Sequence, residues 1–363
     1  MRILHVFRKP VGGLFRHVAD LVRGQNAKGH EVGLVCDCLT GGPTAEAALT
    51  QLSQYCALGI ERISISTLPG LGDIAASKLV AARAKTIGVD VLHGHGSKGG
   101  VYARLAARKL DVAGVYTPHG GSLHYDWLKP PGAVFLAAER ILRFKSTGLI
   151  FVCEFERQLY DRKVGIGPCP SAVVYNGLWP DEFTTRQLEL DATDLLFVGE
   201  MRKLKGVDIL LQALSSISTT QQLTLTLVGE GQDLELFKTL ANRFGLAGRV
   251  RFVGRQTMAE AKSLGRVLIL PSRHESFPYV MLEAVGAQIP ILASDVGGIG
   301  EIVPATCRFP VGNVAALAEK LLGITPGQMP SLGVAAALQA KARDRFSVLQ
   351  MNEGVSAFYE TLR

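Results

Sequence analysis

Short apolar runs alternate with longer helical stretches along this chain, and the alternation occurs twice. "RILHVF", "HEVGLVCD", "VDVLHGHG", "VAGVYTPHG" and "GLIFVCE" form the first set of runs. Near-continuous Val, Ile and Leu of this length suit parallel strands covered on both faces. Between them lie helical segments such as "LFRHVADLVRGQNAKG", ending at Gly29, and "DIAASKLVAARAKTIG", ending at Gly88. A terminal glycine is a common helix stop. After residue 190 the pattern restarts with "DLLFVGE", "LTLTLVGEG", "RVRFVG", "RVLILPS" and "PILASD", and the turn-rich "YNGLWPDEF" separates the two sets. Two sequential sets of β/α units predict an α/β protein of two doubly wound Rossmann-like domains facing a central cleft. The expected boundaries are 1–180 and 181–345, with a closing helix over 346–363 that crosses back to the first domain. A chain of 363 residues, 47% of them hydrophobic, is long enough to fill two cores. Ligands of such sheets bind beyond the carboxyl ends of the strands, and every motif below falls at such an end.

Composition narrows the remaining classes. Met1 leads straight into an apolar strand, so no cleavable signal is expected. The longest uncharged run, between Lys320 and Lys341, contains Pro326, Pro330 and three glycines. It is too broken for a membrane span, which needs ~20 apolar residues. Six cysteines without zinc or disulfide spacing read as reduced cytosolic thiols. The formal net charge is +7 and is unevenly placed: residues 1–180 carry 21 Lys and Arg against 13 Asp and Glu, residues 181–363 carry 18 against 19. A basic first half fits nucleic acid, a phosphorylated lipid or an anionic membrane surface. No aromatic-rich basic motif of the RNA-binding kind accompanies it. The stretch "GAVFLAAERILRFKS", residues 132–146, joins an apolar face to Arg140, Arg143 and Lys145. It reads either as a membrane-facing helix or as one packed on the first sheet with a solvated basic side.

Glu275 and Glu283 stand eight positions apart in "HESFPYVMLEAVG", residues 274–286. Pro278 fits the first turn of a helix and Ser276 fits a cap before it. Glu283 then lies about two turns inside, on the order of 10 Å from the helix start. That separation suits two hydroxylated groups at the ends of a diphosphate, with the free amides of the helix N-terminus for the diphosphate itself. A solvated acid followed by a helix-surface acid explains the pair equally well. In "VGEMRKLKG", residues 198–206, Arg202 and Lys205 follow the first strand of the second set. A cation pair there suits a leaving phosphate; an exposed basic turn is the plain alternative. Gly297 and Gly298 in "SDVGGIGEIV" permit close approach of backbone to a ligand, or form an ordinary loop.

Taken together, "PVGGLFRHVADL", "VGEMRKLKGVDILLQAL", "LVGEG", "VRFVG" and "LILPSRHESFPYVMLEAVGAQIPILASDVGGIGEIV" resemble the retaining GT-B glycosyltransferases of family 4. The pattern is most similar to bacterial enzymes of surface-polysaccharide assembly. The resemblance implies a GT-B fold and roles for matching positions. Glu283 would bind the ribose of a nucleotide sugar, and Glu275 the hydroxyls of its sugar ring. Arg202 and Lys205 would hold the diphosphate, with amides near Phe277, Tyr279 and Val280. Gly12 and Gly13 would form a loop closing over the donor phosphates, and His119 in "YTPHGG" would sit beside the transferred sugar. The base would lie near Val253, Gly254, Arg255 and Gln256. Two positions depart from the pattern. Glu200 stands where many relatives carry Arg, and Arg266 where they often carry a small acidic turn.

The expected activity is retaining transfer of a sugar from a nucleotide diphosphate sugar, UDP preferred to GDP, to a hydroxyl of a glycan or lipid-linked glycan in polysaccharide biosynthesis. His119, Glu275, Arg202 and Lys205 are the expected catalytic group. No cofactor or metal is expected: the chain holds no Asp-x-Asp, and Arg202, Lys205 and a helix N-terminus take the place of an ion. His93 and His95 are i, i+2 histidines without a nearby carboxylate, which fits a strand-end role facing the acceptor better than a metal pair. Expected partners are the donor, a glycan or lipid-diphosphate-linked acceptor and an anionic membrane surface, not nucleic acid. The expected location is the cytoplasm, peripheral on the inner face of the cell membrane. Rival readings are a sugar-nucleotide 2-epimerase of the same layout and a non-catalytic sugar-nucleotide or nucleic-acid binder. A dinucleotide-dependent reductase is disfavoured, because "KPVGGLFRH" lacks G-x-G-x-x-G.

Overall fold

The structure, a computed structural model, describes residues 1–328 and 335–362. Pro330 and Gly333 of the uncharged run lie outside them. The described residues form two compact units. Unit 1 comprises Met1–Asn176 and Val348–Arg363, and unit 2 comprises Gly177–Ser347.

Unit 1 holds seven strands: β1 (Arg2–Val6), β2 (Glu31–Asp37), β3 (Ile60–Ile63), β4 (Val91–His95), β5 (Ala113–Thr117), β6 (Gly148–Phe151) and β7 (Ser171–Val173). They pair in parallel in the order β3-β2-β1-β4-β5-β6-β7. Unit 2 holds β8 (Thr193–Val198), β9 (Leu225–Val228), β10 (Val250–Phe252), β11 (Gly265–Leu270), β12 (Ile291–Ser294) and β13 (Arg308–Phe309). Their order is β10-β9-β8-β11-β12-β13, again parallel. β4 is buried end to end and β2 from Val32 onward, because helices cover both faces of such sheets. Strand order reverses between β1 and β4 and between β8 and β11, the switch points where doubly wound sheets leave a crevice for ligands.

The ten apolar runs predicted as strands all appear. β3, β7 and β13 were not anticipated; they are short edge strands, and β3 and β7 are only partly buried, so they lack a full apolar run. The first helix, Gly12–Ala27, buries Val18, Leu21 and Val22 against the sheet. Each such side chain contributes about 1.5–3 kcal/mol. Gly12 takes φ +77° and lets the chain turn from β1 directly into that helix. Gly12 and Gly13 therefore open a helix rather than form a loop, which corrects the expected loop. Val348–Glu360 packs within unit 1, where Asn352 Nδ2 donates to the Asp20 carbonyl at 3.2 Å.

A second correction concerns the helix after "HES". It runs Tyr279–Gly286, with Pro278 in extended backbone as its N-cap position. Ser276 stands two residues before that N-cap position, and its carbonyl accepts from Gly298 N at 2.6 Å. Glu283 thus lies four residues past the helix start, about 6 Å along the axis, half the expected depth.

Candidate functional site

Unit 2 carries a compact charged cluster at the carboxyl ends of β8 and β11. Lys205 Nζ lies 2.6 Å from Glu275 Oε1, which also accepts from Ser272 Oγ at 2.8 Å. The sequence separates the first two by seventy positions; adjacent strands bring them together. Gly206, at φ +72°, makes this possible: a Cβ there would fall 1.9 Å from the Pro271 carbonyl oxygen. Arg273 clamps the same turn. It donates to both carboxylate oxygens of Asp208, at 2.8 and 2.7 Å, and to the Lys203 carbonyl. The loop after β12 closes the other side, since Gly297 (φ +64°) has the Glu275 carbonyl where a Cβ would lie. Ser272 and the Arg273–Asp208 pair escaped the sequence reading; the "SR" just before "HES" was their only trace.

The other predicted residues of unit 2 surround this cluster unevenly. Arg202 does not join Lys205 on Glu275. It faces Glu200 at 3.6 Å, both largely exposed, so the residue that departs from the family pattern holds it. Phe277 and Tyr279 bury their side chains, leaving backbone as what they offer at the surface. Val280 and Glu283 are partly buried on the helix Tyr279–Gly286. Val253, Gly254 and Arg255 follow β10; Val253 N bonds to Leu227 O, Gly254 O accepts from Gly229 N, and Arg255 is exposed. The Gln256 Oε1 beside them is buried without a partner. Arg266 donates to the Ala192 carbonyl, a bond between neighbouring strand starts that accounts for it structurally.

Unit 1 carries a neutral cluster. His5, His17, His93, His95 and His119 crowd one sheet face, with His5 and His93 in register on β1 and β4. His5 bonds to Gln25 Oε1 at 2.8 Å and to His95 Nε2 at 2.9 Å. His95 Nδ1 lies 3.1 Å from His119 Nε2. His93 bonds to the Tyr359 hydroxyl at 2.6 Å and to Thr117 Oγ1 at 2.8 Å. His17 Nδ1 meets Asn176 Oδ1 at 2.9 Å, while its buried Nε2 has no partner. Burial lowers the pKa of His5 and of His17 to about 4 and holds His93, His95 and His119 well below the ordinary value. The rings are therefore neutral at pH 7.

Two triads, His5/His93/His95 and His17/His95/His119, bring nitrogens within 4.8 Å of one another. No carboxylate belongs to either, and both nitrogens of His5, His93 and His95 are spent on hydrogen bonds. His119 itself is held in an uncommon backbone state, φ +51°, followed by Gly120 and Gly121 at +78° and +30°. Such a run of positive φ persists only where its surroundings enforce it. Here the buried Glu156 accepts from Gly120 N, and the buried Glu139 from Ser122 Oγ at 3.2 Å.

Both halves of the chain match known proteins. The family model "Glycosyltransferase Family 4" matches residues 11–182, and "Glycosyl transferases group 1" matches residues 192–325. The chain is 29% identical over 325 residues to glycogen synthase of Mycobacterium tuberculosis, covering 81% of this chain and 77% of the relative. It is 28% identical over 370 residues to D-inositol 3-phosphate glycosyltransferase of Streptomyces scabiei, covering 91% and 83%. Among solved structures, Anabaena HepE in complex with UDP and glucose superposes with a TM-score of 0.81 at 20% identity, covering 99% of this chain and all of the other. With both halves matched in order and the fold shared along its length, the chain belongs to the GT-B glycosyltransferases of family 4 type, and it is a transferase enzyme.

Proposed function

We propose that the protein transfers a hexosyl group from a UDP-sugar to a hydroxyl of a glycan or lipid-linked glycan, with retention of configuration and without a metal ion. The observation that carries this reading is the Lys205–Glu275 pair at 2.6 Å on the switch point of unit 2. A cation and an acid so joined suit the two ends of a sugar diphosphate: Lys205 for the phosphate, Glu275 for sugar hydroxyls. The structural relative that holds UDP and glucose supports the choice of donor. Glu283 serves the ribose and Arg202 adds to the phosphate charge. In unit 1 His119 offers a neutral group suited to a sugar hydroxyl.

Glu275 is tied to Lys205 and Ser272, an arrangement that favours holding hydroxyls over nucleophilic attack. A same-face displacement follows. The bond from the anomeric carbon to the phosphate oxygen breaks as the bond to the acceptor oxygen forms on that face. The acceptor proton passes to the departing phosphate oxygen, and Lys205 and Arg202 stabilise the charge developing there. The products are a glycoside and UDP. Thermal stabilisation by a panel of nucleotide sugars tests the donor: a UDP-sugar should raise the melting temperature, and a rise with GDP-sugars alone would overturn the choice.

The acceptor side has its own support. The helix Pro130–Leu142 and the turn Arg143–Lys145 leave Val134, Ile141 and Phe144 exposed, as is nearby Leu128. Exposed Lys129, Arg140 and Lys145 flank them. Arg143 lies over the Phe144 ring, 4.7 Å from its centroid, and donates to the carbonyls of Val164 and Gly165 at 2.9 and 3.1 Å. Apolar side chains rimmed by cations suit an anionic leaflet, which fits a lipid-diphosphate-linked acceptor. No helix among the described residues is long and apolar enough to span a membrane. Sedimentation with anionic vesicles at low salt, lost at high salt and in an I141S/F144S variant, is the expected result. Protein left in the supernatant under all conditions would make a soluble acceptor the better assignment.

A further inference from the structure

One glutamine and three of the clustered histidines form a single file. Gln25 Oε1 lies 2.8 Å from His5 Nε2, His5 Nδ1 lies 2.9 Å from His95 Nε2, and His95 Nδ1 lies 3.1 Å from His119 Nε2. A neutral imidazole carries one N–H and one bare nitrogen, so each contact dictates the next. The Gln25 oxygen only accepts. His5 must hold its proton on Nε2, which leaves its Nδ1 bare. His95 then donates from Nε2 and accepts at Nδ1. His119 donates from Nε2, and its own Nδ1 is bare at the partly exposed end of the file. Burial opposes the extra proton that would break this order.

We infer that Gln25, acting through His5 and His95, sets the tautomer of His119, so that His119 presents Nδ1 as an acceptor and selects a hydroxyl as its ligand. The inference rests on the reading that His119 meets a sugar hydroxyl. A carbonyl or phosphate oxygen at that nitrogen would face a lone pair; a hydroxyl donates into it. Gln25, His5 and His95 are positioning residues, all buried and therefore out of reach of any ligand. The direction of the whole file depends on the contact of the Gln25 oxygen with His5. The neighbouring bonds of His93 run to Tyr359 and Thr117, and Gln25 also meets Tyr359.

Two-bond 1H–15N correlation spectra of histidine-labelled enzyme read each tautomer directly, with the His119 signal assigned from H119Q. Wild-type enzyme without ligand should show His119 protonated at Nε2. Gln25→Glu, read at a pH where its carboxylate is ionised, supplies oxygens that only accept, so it should keep this pattern. Gln25→Leu removes the acceptor at His5, and His119 should then show mixed tautomers. A wild-type signal protonated at Nδ1 overturns the inference, as does an unchanged pattern in Gln25→Leu. If that variant fails to fold, the wild-type and Gln25→Glu spectra still decide. Activity tests the underlying reading separately: kcat/KM should fall about tenfold in Gln25→Leu, the worth of one hydrogen bond, and recover in Gln25→Glu. Altered tautomers with unchanged kcat/KM would keep the relay and remove His119 from the sugar.

Discussion

The two units carry polar clusters of opposite chemistry. Seven of the eight histidines fall in unit 1, and five of them are packed as neutral rings against one sheet face. Unit 2 has one histidine, the exposed His274, and builds its cluster from formal charges: Lys205, Glu275, Arg273 and Asp208. Buried neutral polar groups are costly unless bonded, and once bonded they hold fixed directions. Partly exposed charges cost less to keep and adapt when a charged ligand arrives. A fixed neutral array suits the discrimination of hydroxyls; an adaptable charged pair suits a phosphate whose charge grows during reaction.

The largest expected effect lies in the charged half. Lys205→Met should lower kcat by roughly 10²–10³, the usual consequence of losing one donor to a developing oxyanion. Because Lys205 and Glu275 act on each other, the double variant with Glu275→Gln should lose much less than the product of the two single losses. Steady-state kinetics of sugar transfer provide the measurement. Independent, multiplicative losses would mean that the 2.6 Å contact is incidental to turnover.

Acid should break the neutral half first. A histidine whose folded pKa lies below its unfolded value of 6.5 binds its proton more readily when unfolded. Its stabilising contribution is present above pH 6.5 and is lost as pH falls toward the folded value. For His5, held at about 4, the loss is about 3 kcal/mol at ~1.4 kcal/mol per pH unit. His17, His93, His95 and His119 act in the same direction, against a total stability on the order of 5–15 kcal/mol. Trp127 lies in unit 1 and Trp179 in unit 2, so W179F and W127F variants each leave a reporter for one unit. Between pH 6.5 and 4.5 the urea midpoint followed by Trp127 should fall while that followed by Trp179 holds. Parallel midpoints would erase the distinction drawn between the units.

Much of this was legible in the amino-acid sequence. The apolar runs show the central strands, and the strand ends show Lys205 and Glu275. What the sequence hides is mostly a matter of neighbours. His5 sits in "RILHVF" and His93 in "VDVLHG", at similar depth in two runs, yet only the pairing of β1 with β4 makes them a cluster. Gln25 reads as one more polar residue on an amphipathic helix. Ser276 looked like the residue just before the helix, but Gly298 bonds to its carbonyl and the helix starts two residues later than expected. Arg143 looked like a surface cation and is instead spent on two carbonyls. In each instance local preference was outvoted by a partner far away in the chain.

Glu283 offers a smaller test within unit 2. Glu283→Ala should weaken donor binding by about 1.5–3 kcal/mol, the worth of a charge-assisted hydrogen bond to ribose. Calorimetric titration with the nucleotide alone and with the nucleotide sugar should show the same loss, because the ribose is common to both. Unchanged affinity in a folded variant would remove Glu283 from the site, and a loss confined to the sugar form would move it toward the transferred ring.

The smallest effect, none, is expected from chelation, and it bears on both halves at once. A divalent ion at a sugar diphosphate needs oxygen ligands with unspent charge. In unit 2 the carboxylate best placed, Glu275, is already neutralised by Lys205, and Asp208 is taken by both arms of Arg273. In unit 1 both nitrogens of His5, His93 and His95 are bonded to one another or to amide and hydroxyl groups, and neither histidine triad includes an acid. The cations of the chain then do at the phosphate what an ion does elsewhere, and turnover should be the same with and without excess chelator. The assay uses enzyme dialysed against chelator, with magnesium, manganese or zinc added back in turn. Complete loss restored by one of these ions would show that the charged cluster is a metal site in its working state, and the Lys205–Glu275 contact would then be a resting arrangement that the ion displaces.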